Sequence, residues 1–354
     1  MRPIVRAAVT AGAVLAAVAI GVVVRSLNAY GVFTDVTPGF AGQCTAIRGV
    51  EGPEDIAIDR TSGLAFISAM DRRAFRAGRA SAQDGIYVLP LNGSARLTKL
   101  SGTPPDFHPH GITLVRDAGG LVLVAIGHRK DGSSNVEIFE IPAGGPPRLA
   151  EIGDVESREL SNPNAIVALD RERFYVANDH GSTTAFGRTL EDLLVLPRAD
   201  IVYFDGMVFR VVAQHLAYAS GLALSPDGRF LYATETNARR LDTFSRQPVS
   251  GALDQSSTLD IPSGVDNLRV DDKGNLWIGS HPKGLAMAAF RGDPTKPAPS
   301  EVFEATLASG IPQSATPVFV DDGKKIGGSS VAAVSGNRML IGAPLDDHIL
   351  DCRL

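Results

Sequence analysis

Residues Ser220 to Thr236 read SGLALSPDGRFLYATET: a polar entry, an apolar alternation, a Pro-Asp-Gly turn, then a second run carrying Phe, Leu, Tyr and Thr. This is the layout of a β-hairpin, two half-buried strands joined by a tight turn. It recurs as EDIAIDRTSGLAFISAM from Glu54, HGITLVRDAGGLVLVAIGH from His110, NAIVALDRERFYVAND from Asn164, DNLRVDDKGNLWIGSH from Asp266 and SSVAAVSGNRMLIGAP from Ser329. Successive starts lie between 46 residues (220 to 266) and 63 residues (266 to 329) apart, and the 311 residues from Cys44 to Leu354 divide into six units of about 52. A four-stranded propeller blade has that size. Strand-like runs between the hairpins, GIYVLPL from Gly85, NVEIFEI from Asn135, IVYFDG from Ile201 and RLDTFSR from Arg240, supply the outer strands. The expected fold is all-β, a six-bladed β-propeller. A sandwich of unrelated hairpins is the alternative, but only radial repetition requires a recurrence at this spacing.

The rest of the chain fits around that ring. Among 354 residues, 37 Gly and 22 Pro suit many tight turns, and 34 basic against 39 acidic side chains, net charge −5, exclude the basic excess that nucleic acid binding requires. Two cysteines exclude a four-thiolate zinc site. Cys44 opens the domain and Cys352 lies two residues from its end, so a bridge between them would meet where the first and last strands join; two free buried thiols are the alternative. Ala7 to Val24 is an uncharged, mostly apolar run between Arg2 and Arg6 on one side and Arg25 on the other. We expect residues 1–29 to form an uncleaved hydrophobic anchor, with a cleaved signal or a buried core helix as alternatives, and residues 30–354 to form the propeller domain outside the cytosol. In TLEDLLVLP from Thr189, Leu190, Leu193 and Leu194 fall at helical spacing and predict a short amphipathic helix, a lid on the propeller rather than a segment dipping into the membrane interface. Asn92-Gly-Ser reads as either a glycan acceptor or a tight turn.

Symmetry converts equivalent sequence positions into a ring around the axis. The first residues of the six repeats are Glu54, His110, Asn164, Ser220, Asp266 and Ser329, all polar, and the next offset adds Asp55 and Asn267. Glu54, Asn164, Asp266 and Asn267 offer hard oxygen donors with two formal negative charges, a set that suits Ca²⁺ better than Mg²⁺ or Zn²⁺. His110 and His128 come from the two strands of one hairpin and should meet at its axial end, leaving one imidazole neutral and able to act as a base. His108 and His180 flank the same mouth.

GPEDIAI around Glu54, FHPHGIT around His110, NPNAIVAL around Asn164, NDH at Asn178, SPDGRFLYATE from Ser225, VDNLRVD around Asp266, LWIGSHP ending at Pro282 and the terminal DCRL together resemble the serum paraoxonase/arylesterase family over nearly the whole chain from Ala41. The resemblance implies a six-bladed propeller with two central calcium ions, a Cys44–Cys352 disulfide, a retained hydrophobic leader, and hydrolysis of lactones and aryl esters, with organophosphate hydrolysis as a side activity in some members. It implies a catalytic ion on Glu54, Asn164, Ser220, Asp266 and Asn267, a catalytic dyad of His110 and His128, and pocket residues His281, Asp179 and His180. Ser220 stands where the family has an asparagine. A deeper ion would have only Asp55 and the Ile112 carbonyl here, because Ala165 replaces an aspartate. The segment Met70 to Gln83, with Arg72, Arg73, Arg76 and Arg79, also departs from the family pattern.

The expected chemistry is calcium-assisted hydrolysis of a small ester or lactone, the ion polarising the carbonyl and His110, helped by His128, activating water. No Ser sits in a nucleophile elbow. A sugar-acid lactonase of the gluconolactonase type, which lacks the paired histidines and the disulfide, and a non-catalytic binding propeller with a purely structural ion are the competing readings.

Overall fold

The computed structural model describes residues 3–79, 81–93 and 96–354. Arg2, which flanks the apolar leader, and Ser94 of the Asn92-Gly-Ser motif lie outside them.

Among the described residues, twenty-four strands form six four-stranded antiparallel sheets. Blade one comprises Pro53–Asp59, Leu64–Ala69, Gly85–Pro90 and Thr98–Lys99; blade two His108–Asp117, Gly120–His128, Ser134–Ile141 and Ala150–Glu156; blade three Pro163–Ala168, Phe174–Asn178, Ala199–Phe204 and Phe209–Leu216. Blade four comprises Ala219–Leu224, Phe230–Glu235, Arg240–Arg246 and Leu253–Asp260, and blade five Gly264–Val270, Leu276–His281, Ser300–Ala308 and Ile311–Asp321. Blade six takes Val331–Ser335, Arg338–Gly342 and His348–Arg353 from the end of the chain and its outermost strand, Gln43–Arg48, from the beginning. Within that strand pair Cys44 is directly opposite Cys352 and bonded to it, so the expected bridge closes the ring.

The blades follow from how the strands bury both faces. In the second strand of blade two, Leu121, Leu123 and Ala125 pack with Phe66, Ile86 and Val88 of blade one. The alternate residues Val122, Val124 and Ile126 pack with Ile166, Phe174 and Val176 of blade three. Side chains alternate across a strand, so a run buried on both sides must be apolar throughout. The same sharing continues between blades three and four, four and five, five and six, and six and one. Each sheet therefore has a neighbour on either side.

Among the described residues four helices lie outside the sheets: α1 (Pro3–Ala29), α2 (Arg72–Arg76), α3 (Ala185–Leu194) and α4 (Gly284–Gly292). Within α1, Thr10–Ala29 is long and apolar enough to cross a bilayer, with mean hydropathy 2.0 and none of that stretch buried against the propeller. The expected helix at Thr189 forms as part of α3, capped by Thr184, and its Arg188, Thr189 and Asp192 line the cavity at the channel mouth, but its leucines do not pack onto the propeller. Its buried residue is Glu191, whereas Leu190, Leu193 and Leu194 are exposed on the side where α1 approaches. Ser26 of α1 donates to the Leu193 carbonyl and Arg25 to that of Val195. Polar demand at the channel mouth set the orientation: Glu191 accepts from the Gly181 amide and Asp192 holds His180.

Candidate metal centre and active site

In five blades the pairing between the first and second strands slips near its axial end, at Pro53/Asp55, Pro109/Ile112, Pro163/Ala165, Ala219/Gly221 and Val265/Leu268. The residues passed over are Glu54, His110 with Gly111, Asn164, Ser220, and Asp266 with Asn267. A bulge takes a residue out of the ladder and re-aims its side chain, and here it collects the polar ring named from the sequence. Blade six has no slip within its pairing; Ser329 and Ser330 precede its first strand and their hydroxyls donate to backbone carbonyls of Ser280, Glu301 and Glu54.

Glu54 is the hub. Its Oε1 accepts from Asn267 Nδ2 at 2.7 Å and lies 3.5 Å from His110 Nε2; its Oε2 lies 3.5 Å from a guanidinium nitrogen of Arg72. Burial alone would raise its pKa, but His110, Arg72 and Asn267 hold the carboxyl down to about 2. Asp266 has weaker support, and burial followed by the nearby Glu54 charge outweighs Arg72 and the Asn267 amide and pushes its carboxyl well above the ordinary range. Two acids in one dry site call for a cation. Asn164 donates through Nδ2 to Asp179 Oδ2 at 3.0 Å, which leaves its Oδ1 buried without a hydrogen-bond partner, like Glu54 Oε2. The orphaned oxygen of Glu54, with Asp266 near enough to feel its charge, and the orphaned amide oxygen of Asn164 are donors of the kind a hard divalent ion takes. Ser220 differs: its buried hydroxyl is engaged with Thr236 at 2.7 Å, and with Thr234 and the Val265 carbonyl at 3.3 Å.

The histidines have different environments. His110 Nδ1 lies 2.9 Å from His128 Nε2, and His128 Nδ1 lies 2.9 Å from Ser134 Oγ. Burial, then the charges of His110 and Arg72, push the His128 pKa down to about 3, so this ring is neutral. His180 is the opposite case. Despite burial, hydrogen bonds to Asp179 at 2.6 Å and Asp192 at 3.1 Å raise its pKa to about 9, so it is an imidazolium clamped between two carboxylates. His281 stands 3.8 Å from Asp266 and is pushed down to about 4 by burial and then by Arg291. His108 is buried between Asp84 and Asp106, where its ring supports Phe75 of α2.

Above the ring opens a cavity of about 840 Å³, lined among others by His110, His128, Asp179, His180, Tyr218 and His281. Helices α2 and α4 add a basic rim. Arg73 is bound to the carbonyls of Phe290 and Leu345, both at 2.6 Å, and pins α2 beside α4. Arg72 and Arg76, one helical turn apart and hence on one face, line the cavity together with Arg291. The sequence pattern marked this segment as arginine-rich without assigning Arg72 to Glu54. Arg291 and Asp192 carried no sequence signal.

One residue deeper, Asp55 and the Ile112 carbonyl meet a partner that sequence reading did not identify. Nη2 of Arg269 lies 2.5 Å from both carboxylate oxygens of Asp55 and 2.9 Å from the Ile112 carbonyl, and its Nε donates to the Ile56 carbonyl at 2.7 Å. A signal was present: at its offset the other repeats carry Ala57, Thr113, Val167, Ala223 and Ala332.

A family model described as arylesterase matches residues 35–354. Human serum paraoxonase/arylesterase 1 is 30% identical over 317 residues, covering 87% of this chain and 88% of the human protein. Human serum paraoxonase/arylesterase 2 is 30% identical over 319 residues, 88% of each chain. Among solved structures, a luciferin-regenerating enzyme superposes with a TM-score of 0.58 at 14% identity, over 89% of this chain and 96% of that one. A gluconolactonase from Xanthomonas campestris gives 0.51 at 17% identity, over 90% and 93%. At these identities the two structures speak to the fold alone.

Proposed function

The chain belongs to the arylesterase family and is an esterase or lactonase; from that premise we propose divalent-ion-dependent hydrolysis of lactones and aryl esters at the axial ring. The observation that carries the reading is the contact of the His110–His128 pair with Glu54, beside the orphaned oxygens of Glu54 and Asn164. Glu54, Asn164, Asp266 and Asn267 would hold the ion, with calcium the best match to this oxygen set. When bound, it supplies the fixed positive charge that polarises the carbonyl and offsets the developing oxyanion. Arg72 holds Glu54 in its ionised form.

His110 Nε2 is the ring nitrogen of the pair that faces the acids, and it accepts the proton of the attacking water. Its Nδ1 proton is shared with His128 Nε2, and Ser134 orients the outer ring. His128, neutral through burial, stays uncharged and holds the His110 ring with Nε2 turned toward the acids. His180 stays protonated between Asp179 and Asp192, and its role is to fix Asp179, which in turn orients the Asn164 amide.

The apolar stretch of α1 anchors the protein to a membrane, residues 1–29 forming the anchor and residues 30–354 the hydrolase domain on the extracytoplasmic side. The disulfide supports that side, since such bonds persist in oxidising compartments. Metal analysis of purified protein beside a panel of lactones, phenyl acetate and an organophosphate triester tests the reading. Chelator-sensitive turnover of the first two classes is expected. Full activity without any bound divalent ion would overturn it.

A further inference from the structure

Asp55 is 1% exposed, and a buried carboxylate without a counter-ion is costly. The family resemblance implies a second, structural ion on Asp55 and the Ile112 carbonyl. The residues present do not fit one. Both Asp55 oxygens and the Ile112 carbonyl are within 2.9 Å of one Arg269 nitrogen, and the Asp55 oxygens also accept from the amides of Ile56 and Ile112 at 2.9 Å each. A divalent ion at that position would compete with a fixed guanidinium for the same acceptors.

We propose that Arg269 is the protein's built-in replacement for a structural metal ion. Arg269 belongs to blade five, whereas Asp55 and Ile56 belong to blade one and Ile112 to blade two, neither of which adjoins blade five. The side chain therefore crosses the axis and ties three blades together. A planar guanidinium suits this task because it keeps its charge at every accessible pH and presents several donors in a fixed fork. Lysine, a single point charge, could not meet the same acceptors in one plane. Arg269 also contributes to the wall of a separate space of about 250 Å³ lined by Ala57, Thr113, Val167, Leu222 and Ala333, one residue from each of the other five blades. This space does not share a lining residue with the cavity above the acidic ring. The guanidinium thus stands between the proposed ion site and the far end of the channel. The chain takes one divalent ion, not two, and the cohesion of its inner strands at this depth is independent of metal.

Thermal melting in chelator and in calcium, on the full chain, with calcium titrated calorimetrically, tests the assignment. Wild type binds no more than one equivalent. In chelator, Arg269→Met melts at least 10 °C below wild type, Arg269→Lys falls between them, and Asp55→Asn/Arg269→Met recovers at least half of the loss, because no buried charge then lacks a partner. A second bound equivalent in wild type, or an Arg269→Met variant that melts with wild type in chelator, overturns the proposal. Should Arg269→Met fail to fold, the double variant and Arg269→Lys decide by the same order of melting. Hydrolase activity is read separately: absence of any ion from active wild type would sink the proposed function and leave the melting order to judge Arg269.

Discussion

Nδ1 of His110 and Nε2 of His128 are 2.9 Å apart, a hydrogen bond between the two rings. The far side of His110 faces Glu54 and the far side of His128 faces Ser134, so the pair links the acidic ring to the wall of blade two. Removing the inner base should therefore slow chemistry without emptying the ion site. His110→Gln is expected to lower kcat by about 10²–10⁴ with metal content unchanged, the usual range for a positioned general base. His128→Gln should lower it less. Turnover measured beside metal content checks both, and an unchanged kcat in His110→Gln would move the base role to a carboxylate.

Asp266 raises the opposite expectation. Its carboxylate shares a buried site with Glu54 and is the less supported of the two acids. Asp266→Asn keeps the shape and removes the charge that would hold the ion, so ion and activity should be lost together. Equilibrium dialysis against labelled calcium and the lactone assay should fall in parallel, and added calcium should restore wild type after chelation more fully than the variant.

The basic rim predicts a preference among substrates. Burial, then the charges of Arg291 and Arg72, push the Arg76 pKa down to about 10, and neither Arg76 nor Arg291 forms an ion pair among the described residues. A lactone or ester whose acyl tail carries a carboxylate should show a lower KM than its neutral methyl ester. Arg76→Ala and Arg291→Ala should raise the KM of the charged substrate roughly five- to tenfold and leave the neutral one nearly unchanged, with the difference shrinking as salt screens the field. Equal KM values for the pair in wild type would remove any substrate role for the rim.

Remote from the site, His348 links stability to pH. Against the effect of burial, Asp346 and then Asp347 raise its pKa to about 9, while its Nε2 donates to the Lys325 carbonyl at 2.7 Å and Arg48 shares Asp347. A raised histidine pKa means that the charged form is favoured by folding, so its contribution is complete below about pH 6.5 and is lost as pH rises through about 9. The urea stability of wild type over His348→Gln should therefore shrink by roughly 1–3 kcal/mol between pH 6 and pH 9.5. A difference that stays constant across that window would show that His348 is not charged in the folded state.

Much of the architecture was legible in the hairpin repeat. Strands such as Leu121–Ile126 are apolar at every position because alternate residues serve different interblade cores, and that demand is written locally. The ring was legible for a related reason: the bulged entries Glu54, His110, Asn164, Ser220 and Asp266 recur at one offset of the repeat. The leucines of α3 misled, since their spacing specifies a helix and an apolar stripe but not which body lies against that stripe.

Sequence by itself determined the six blades and the donor types gathered at the axis, because each follows from a period or a residue's chemistry, and it marked Cys44 and Cys352 as the pair that could close the ring; the structure bonds them. Only the tertiary structure decided which histidine is neutral and which is charged, that the Ser220 hydroxyl is engaged within its own wall, and that Arg269 reaches across the channel to Asp55. Those outcomes depend on charges and hydrogen-bond partners brought within a few ångströms from blades far apart in the chain. No local pattern encodes such distances.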